Sequence, residues 1–248
     1  MEPFQLGSDG LLRLAAWEGR WPGLSVGFTT RALGNMAFLS EEVPSAVVER
    51  RERLAKVLGF SFSGFTFAQQ VHGTRVHAMD VQHWGRGSSD AMTAVPGTDG
   101  LSTGLAETVL SLFFADCVPM YFYEPKTGVI ALAHAGWRGT TENMAARMIE
   151  HLKTRWHIPP EEVWVAIGPS IGGCCYQVDA PVANAVRQVL PEGMNAVCKP
   201  QAEGQWLLDL KELNRRLLLA AGVQESRIWM SRYCTACRKD LFYSYRKE

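Results

Sequence analysis

Apolar residues recur along the chain with two different spacings, one typical of helices and one typical of strands. Between residues 42 and 59 they return every three or four positions, with Pro44 near the start and Gly59 at the end, which predicts a helix. Residues 141–156 and 209–222 show the same helical spacing. Each of these stretches is expected to present one apolar face to a core.

Strand signals occupy the middle of the chain. Residues 108–124 and 128–135 are rich in β-branched and aromatic residues, and the turn residues that begin at Pro125 predict a β-hairpin between them. His134 lies at the end of the second run, and residues 163–170 form another predicted strand that leads into a glycine-rich turn. Strand and helix signals therefore alternate, without internal repeats or long linkers.

Length and composition favour one domain. A chain of 248 residues, 47% of them apolar, can bury about 70–75% of its unfolded surface around a single core, so one domain is expected over residues 1–248. No stretch of about 20 residues is apolar throughout, and the first ten residues lack the basic and apolar regions of a secretory signal. A soluble, cytoplasmic protein is the expectation.

Charge and cysteine content narrow the classes of partner. The 25 basic and 25 acidic residues cancel, so no overall field attracts nucleic acid or an anionic membrane. Six cysteines in 248 residues are too sparse for a disulfide-stabilised secreted scaffold and fit a reducing compartment. A small molecule is the expected ligand, and nothing in the composition indicates an oligomeric state.

Three segments each place one metal-binding side chain in an apolar, glycine-flanked setting. They are QVHGTRV around His72, FFADCVPMYF around Cys117 and ALAHAGWRGT around His134. Two imidazoles and one thiolate leave a tetrahedral metal one open position, which is the arrangement of catalytic zinc. Taken singly, each residue is more typical of a protein core than of a metal site, because a histidine in an apolar stretch and a buried cysteine are common there.

The remaining cysteines carry weaker signals. Cys174 and Cys175 are adjacent and flanked by glycines, which is typical of small residues packed in a tight turn. Cys234 and Cys237 form a C-x-x-C pair, which is half of a zinc ribbon, and the sequence shows no second pair of that kind. Cys198 stands alone and is expected to be structural.

A set of motifs spread from residue 27 to the C-terminus resembles the YfiH family, also called the laccase-domain or multicopper polyphenol oxidase-like family. The motifs are QVHGTRV, DGLSTG, FFADCVPMYFYEP, ALAHAGWRGT, GPSIGGCCYQV, LDLKELNRRLLLAAGV and YCTACRKDLFYSYR. The resemblance implies a mixed α+β sandwich with helices packed outside. It also implies that His72, Cys117 and His134 bind a catalytic zinc.

The resemblance implies activity on small molecules. Members of the family cleave adenosine, inosine and methylthioadenosine with phosphate and deaminate adenosine, and others are described as copper polyphenol oxidases or as editors of peptidoglycan precursors. This chain departs from the family in the loop after Arg31, which is shortened to NMAFLSEE. Asn35 matches a family asparagine there and is a candidate substrate-binding residue.

Deamination requires a proton shuttle beside the metal. Zinc deaminases combine a His/Cys zinc site that activates water with a separate carboxylate. Asp116 is the candidate, although it directly precedes Cys117, and neighbours in a strand point to opposite faces. The alternative is that Asp116 is a structural acceptor in a turn.

Phosphorolysis requires an anion site. Arg138 lies just ahead of a helix that is expected to begin near Thr140 or Thr141, so its guanidinium is a candidate for binding phosphate. The alternative is a salt-bridging arginine at the helix start. Arg31 is a second candidate for the same role.

Three classes of function follow from these residues. The first is a zinc-dependent purine nucleoside enzyme. The second is a copper oxidase, because two histidines and a cysteine are also blue-copper ligands and copper outcompetes zinc at a given site. The third is a metal-free hydrolase or amidase in which Cys117 is the nucleophile and His134 the base.

Overall fold

The computed structural model describes residues 1–38, 41–202 and 204–247. The strands within this part of the chain are β1 (Gln5–Leu6), β2 (Leu11–Arg13), β3 (Gly27–Thr29), β4 (Phe65–Phe67), β5 (Val76–Ala78), β6 (Gly100–Thr103), β7 (Val109–Ser111), β8 (Val118–Glu124), β9 (Val129–Ala135), β10 (Trp164–Ile167), β11 (Gln177–Asp179), β12 (Cys198–Pro200), β13 (Gln205–Leu208) and β14 (Ile228–Met230). The helices are α1 (Ala15–Arg20), α2 (Pro44–Leu58), α3 (Trp137–Thr141), α4 (Met144–Trp156), α5 (Ala180–Val189), α6 (Met194–Val197) and α7 (Leu210–Ala220).

A six-stranded sheet forms the centre of the fold, in the order β14-β10-β8-β9-β6-β5. Its middle is the predicted hairpin, in which β8 and β9 pair antiparallel with Pro119 opposite His134. The strand predicted at residues 163–170 is β10, which pairs antiparallel with β8 and parallel with β14. Three smaller sheets, β1-β2-β3, β11-β13-β12 and β4-β7, complete the strands.

The two faces of the central sheet are covered by different layers, because the side chains of a strand alternate between faces. Residues such as Met120 and Phe122 of β8 pack with the apolar faces of α4, α5 and α7. Tyr121 and Tyr123 point the other way and pack with Leu12 of the β1-β2-β3 sheet. The predicted α+β fold, with helices outside a layered β core, is confirmed.

The predicted helices are present, with one correction. Helix α2 begins at Pro44, and Gly59 adopts a φ of +75° directly after its last residue, as its role of stop signal requires. The stretch predicted as one helix at 141–156 contains the end of α3 and all of α4, separated at Asn143, whose φ is +64° and whose side chain accepts a hydrogen bond from Ala146 N. In the described residues no helix is both long and apolar enough to cross a membrane.

A buried arginine joins α2 to the neighbouring loops. Arg51 is only 1% exposed, and its guanidinium donates hydrogen bonds to the carbonyl oxygens of Met36, Gly87 and Ser88. Its guanidinium carbon lies 4.0 Å from the ring centre of Phe67. Burial lowers the pKa of Arg51 to about 10, so the side chain keeps its charge at neutral pH.

Arg51→Met is expected to lower the free energy of unfolding by at least about 3 kcal/mol, because it leaves three buried carbonyl oxygens without donors, each of which costs about 1–3 kcal/mol. Urea unfolding measures this value. The matched control is Arg53→Met, since Arg53 is exposed on the same helix. Equal stability of the two variants would contradict a role for Arg51 in holding these loops.

Candidate metal centre and active site

His134 lies near the end of β9 and is only 3% exposed. Its Nδ1 atom is 2.9 Å from Asp99 Oδ1, and its backbone amide donates to the Asp99 carbonyl oxygen at 2.8 Å. Since a carboxylate accepts, Nδ1 carries the proton and the lone pair of Nε2 is left for a metal ion. The fold produces this pair because Asp99 directly precedes β6, and β6 pairs with β9.

Asp99 also organises the turn that carries His72. Its carboxylate accepts hydrogen bonds from the amides of Val71, His72 and Gly73, at 3.1, 3.0 and 2.9 Å. Burial alone would raise the pKa of Asp99, but the hydrogen bonds from His134 and from these amides outweigh it and hold that pKa below its usual value. One buried carboxylate therefore positions two of the three candidate ligands.

The sequence analysis did not identify Asp99 as a site residue. Asp99 is the first residue of the DGLSTG motif, but an Asp-Gly pair is also typical of an ordinary turn. Its function depends on hydrogen bonds to residues 71–73 and 134, which only the folded chain brings together. A buried aspartate that accepts hydrogen bonds from four donors can be recognised only in the folded structure.

Cys117 directly precedes β8, at the end of the sheet where β9 ends. Asp116 next to it adopts a φ of +88°, which turns the chain before the strand begins. The backbone of Gly136 passes close to this point. A Cβ at Gly136 would lie 2.9 Å from Cys117 Sγ and 3.2 Å from His72 Cδ2, so only glycine leaves room for both side chains.

The three predicted ligands lie together. One ligand atom from each of His72, Cys117 and His134 lies within 4.8 Å of the others, and the two imidazole rings meet edge to face. His134 is buried, Cys117 is partly buried and His72 is exposed, so the group opens to solvent on the side of His72. We call these residues the His–Cys–His centre. The arrangement matches a three-ligand site with one open side.

The electrostatics of the centre fit a divalent cation. Desolvation of the His72 ring lowers its pKa, and the positive charge of Arg138 acts in the same direction, which favours the neutral imidazole that a metal ligand requires. Burial, together with smaller contributions from the carboxylates of Asp116 and Asp99, raises the pKa of Cys117 to about 12. A thiol in this environment ionises when a cation binds to its sulfur. This favours a role for Cys117 as a metal ligand over a role as a free nucleophile.

Asp116 is tied to the C-terminal segment. Its Oδ1 accepts from the Thr235 hydroxyl at 2.5 Å, and its Oδ2 accepts from the Ser244 hydroxyl at 3.0 Å and from the Arg246 amide at 2.8 Å. These contacts match the alternative of a structural acceptor in a turn. A direct role of Asp116 in proton transfer stays a prediction.

Arg138 lies within a helix and not ahead of one, which corrects the predicted helix start. It is the second residue of α3, because the helix begins at Trp137. Its side chain is exposed, its guanidinium carbon lies 4.7 Å from the Trp137 ring centre, and it forms no salt bridge in the described part of the chain. Its charge contributes to the lowered pKa of His72, so the guanidinium acts on the His–Cys–His centre.

Arg31 contacts the C-terminal segment. Its backbone amide donates to the Leu241 carbonyl oxygen at 2.8 Å, and its guanidinium carbon lies 4.3 Å from the Tyr243 ring centre. Tyr243 lines the same cleft as the His–Cys–His centre. Phosphate binding by Arg31 stays a prediction, and the contacts described here position Tyr243.

Asn35 is engaged within its own loop. Its amide nitrogen donates to the Ala37 carbonyl oxygen and to Glu42 Oε1, both at 3.1 Å, and its side-chain oxygen accepts from the Ala37 amide at 2.9 Å. Asn35 lines the cleft, but these bonds hold the loop together, and substrate binding by Asn35 stays a prediction. The shortened loop also includes Leu39 and Ser40, which lie outside the described residues.

Aromatic side chains line the cleft beside the centre. Phe114 lies 5.5 Å from His134, measured between ring centres, and Tyr176 and Tyr243 line the same cleft. Rings of this kind stack on the faces of planar bases. The cleft therefore combines a metal-binding group, the cationic Arg138 and flat apolar surfaces.

The two cysteine pairs that the sequence treats separately lie together in the folded chain. The four side chains of Cys174, Cys175, Cys234 and Cys237 meet, with their sulfur atoms within 4.8 Å of one another. Cys174 and Cys175 therefore supply the two further sulfur atoms that the C-x-x-C pair needs for a set of four metal ligands. The sequence did not predict this, because one pair is adjacent and not spaced as C-x-x-C, and the two pairs are about 60 residues apart.

Comparison with known proteins gives consistent matches. Residues 15–248 match the family model described as multi-copper polyphenol oxidoreductase laccase. The chain is 42% identical to the purine nucleoside phosphorylase YlmD of Geobacillus stearothermophilus, over 99% of this chain and 92% of the relative. It is 34% identical to the purine nucleoside phosphorylase YlmD of Bacillus subtilis, over the same shares of the two chains.

Solved structures show the same fold. The crystal structure of YlmD from Geobacillus stearothermophilus superposes with a TM-score of 0.95, covering 100% of this chain and 94% of that chain, at 42% identity. The crystal structure of the hypothetical protein YfiH from Bacillus licheniformis superposes with a TM-score of 0.94 at 33% identity, over the same shares of the two chains. Both superpositions cover the whole of this chain.

Proposed function

The chain belongs to the multi-copper polyphenol oxidoreductase laccase family, and we propose that this member is a zinc-dependent purine nucleoside phosphorylase that also deaminates adenosine. The observation that carries the proposal is the His–Cys–His centre beside Arg138 in one aromatic-lined cleft. The names of the two YlmD relatives support the nucleoside substrate. We extend the substrates to adenosine, inosine and methylthioadenosine.

The residues present fit a zinc ion. His72, Cys117 and His134 are the ligands we propose, with two nitrogen donors, one sulfur donor and one open side. When bound there, zinc supplies a positive charge that stabilises developing negative charge and activates water. Asp99 fixes the tautomer of His134 through its bond to Nδ1.

Phosphorolysis joins a phosphate oxygen to C1′ of the ribose as the purine leaves. Arg138 lines the cleft, and its exposed guanidinium has no salt-bridge partner in the described residues. It is therefore suited to hold the phosphate by charge-assisted hydrogen bonds. Phe114 and Tyr176 offer apolar faces for the purine. These residues would bind and orient the two reactants, and positioning of this kind lowers the barrier to a reaction between bound groups.

The other two classes of function have less support. A copper oxidase with several coppers needs further nitrogen-rich ligand groups, and the only other metal-competent group in the described ranges consists of four cysteines. A metal-free hydrolase needs a readily ionised Cys117, but burial raises its pKa to about 12. In the described residues, no feature of the cleft points specifically to the editing of peptidoglycan precursors.

The proposal is tested by product analysis. Zinc-loaded protein is incubated with adenosine, with and without phosphate, and the products are separated by chromatography. With phosphate we expect adenine and ribose 1-phosphate, together with inosine and then hypoxanthine from the parallel deamination. Without phosphate only inosine is expected. If adenosine, inosine and methylthioadenosine all persist through prolonged incubation, the nucleoside proposal is wrong.

Arg138→Ala is expected to raise the KM for phosphate by about 10-fold to 100-fold, because a charge-assisted hydrogen bond contributes about 1.5–3 kcal/mol. Deamination uses water and should change by less than about threefold. Arg147→Ala is the control, since Arg147 is exposed on α4. A parallel loss of both activities together with a lower melting temperature would show that Arg138 is structural.

A further inference from the structure

The four-cysteine cluster, formed by Cys174, Cys175, Cys234 and Cys237, lies outside the His–Cys–His centre. The first pair belongs to the turn between β10 and β11, and the second pair follows β14. Strands β10 and β14 are parallel neighbours, and a bridge between Ser170 and Cys234 extends their pairing beyond the strand ends. The topology therefore brings two pairs, about 60 residues apart in sequence, to the same end of the sheet.

The sulfur atoms have the spacing of ligands to a single ion. All four Sγ atoms lie within 4.8 Å of one another, and Cys237 Sγ is 3.7 Å from Cys174 Sγ and 3.4 Å from Cys175 Sγ. A tetrahedral zinc with bonds of about 2.3 Å places its sulfur ligands about 3.8 Å apart. A disulfide bond requires about 2.05 Å, which neither of these two pairs shows.

The backbone around the cluster supports thiolate ligands. The amide of Gly172 donates a hydrogen bond to Cys234 Sγ at 3.2 Å, a contact that stabilises a metal-bound sulfur. A Cβ at Gly172 would lie 3.2 Å from both Cys174 Sγ and Cys234 Cβ. Glycine therefore allows the turn to approach the second pair closely enough for the four sulfurs to meet.

A buried cation lies next to the cluster. Lys211 on α7 is only 5% exposed, and its Nζ donates to the carbonyl oxygen of Tyr233 at 2.6 Å, one residue before Cys234. Zinc with four thiolates has a net charge of −2. A buried ammonium group is costly without negative charge nearby; Asp209 contributes part of it, and such a centre would add to it.

We propose that the four-cysteine cluster binds a second zinc ion as a closed structural site. Four protein ligands leave no open position, so this ion would have no catalytic role. Sulfur-only tetrahedral sites select zinc or iron, and the ligands of a multi-iron cluster bind different iron atoms and are therefore spread farther apart than these. A single zinc ion fits the spacing observed here.

The proposed site joins the C-terminal segment to the catalytic centre. Thr235, inside the C-x-x-C pair, donates to Asp116, the neighbour of Cys117. Tyr176, directly after Cys175, lines the cleft of the His–Cys–His centre. An ion that fixes both pairs of cysteines would therefore hold the segments on which Asp116 and Tyr176 depend.

Metal analysis of the full-length protein tests this proposal. Native mass spectrometry and elemental analysis of the zinc-loaded wild type are expected to show two zinc ions per chain. Cys117→Ser should keep one ion, and Cys174→Ser with Cys237→Ser should also keep one. The control Cys198→Ala should keep both, because Cys198 belongs to neither group. One zinc in the wild type that Cys117→Ser removes would overturn the proposal, as would iron in the cluster.

Two further measurements use only the wild type, so their results do not depend on whether the cysteine variants fold. Cobalt-substituted protein should show the intense sulfur-to-metal and d–d absorption of a tetrahedral tetrathiolate, in addition to the weaker bands of a site with one sulfur ligand. Alkylation of the denatured, chelator-treated protein without reductant should label all six cysteines. Fewer labelled cysteines would reveal a disulfide and contradict the zinc site. These results are independent of nucleoside turnover, so a failed activity assay leaves them unaffected.

Discussion

Cys117→Ser is expected to remove the zinc of the His–Cys–His centre and to lower phosphorolytic activity by more than about 100-fold. Loss of a residue that only supports a metal ligand typically costs about 10–100-fold in affinity or activity, and loss of a ligand itself should exceed that range. Serine keeps the size of the side chain, but its hydroxyl does not ionise as a thiol does beside a cation. Elemental analysis and hypoxanthine release from inosine measure the two effects.

Cys198→Ala is the matched control, since Cys198 is buried in the core and should leave zinc content and activity unchanged. The Cys117 variant also separates the alternatives. If Cys117→Ser retains zinc in the His–Cys–His centre and loses activity, Cys117 is not a ligand, and a role as nucleophile gains support. If it retains both, Cys117 has no part in metal binding or in the reaction.

Asp99→Asn is expected to weaken zinc binding at the His–Cys–His centre by about 10–100-fold, the usual cost of losing a carboxylate behind a metal-bound histidine. An asparagine oxygen in the place of Oδ2 can still accept from the amides of Val71 and Gly73, while the amide nitrogen takes the place of Oδ1, which accepts from the His72 amide in the wild type. Its amide nitrogen is a donor, however, and would face the protonated Nδ1 of His134. The histidine relieves this clash by moving its proton to Nε2, which removes the lone pair needed by the metal.

Competition with a chromophoric chelator measures the zinc affinity of the Asp99 variant. Asp240→Asn is the control, because Asp240 is an exposed aspartate that forms an ion pair with Arg238 at the surface. A melting temperature measured without metal separates loss of affinity from general loss of stability. Unchanged affinity in a folded Asp99→Asn variant would show that His134 does not depend on Asp99 for its tautomer.

Part of the site was accessible from the sequence because its residues lie in distinctive local motifs. His72, Cys117 and His134 each stand in an apolar, glycine-flanked segment, and the hairpin that brings Cys117 and His134 to one end of the sheet follows from the strand pattern. The helix stop at Gly59 was also predictable, since a glycine with positive φ commonly ends a helix.

Other parts depend on contacts between distant residues. Asp99 is recognisable only once its carboxylate is seen to accept from four donors, and the four-cysteine cluster requires β10 and β14 to be neighbours. The start of α3 was misplaced because Gly136 and Gly139 weaken the helical pattern, while the close approach of Gly139 to the carbonyl of Gly73 favours glycine there.

The zinc dependence of phosphorolysis tests the central claim most directly. Chelator-treated wild type is incubated with inosine and phosphate, and hypoxanthine and ribose 1-phosphate are followed as zinc or copper is added. We expect no turnover before addition, equal amounts of both products after zinc, and no oxidation of phenols after copper. Undiminished hypoxanthine release by the metal-free protein, or phenol oxidation with copper in place of nucleoside cleavage, would contradict the account.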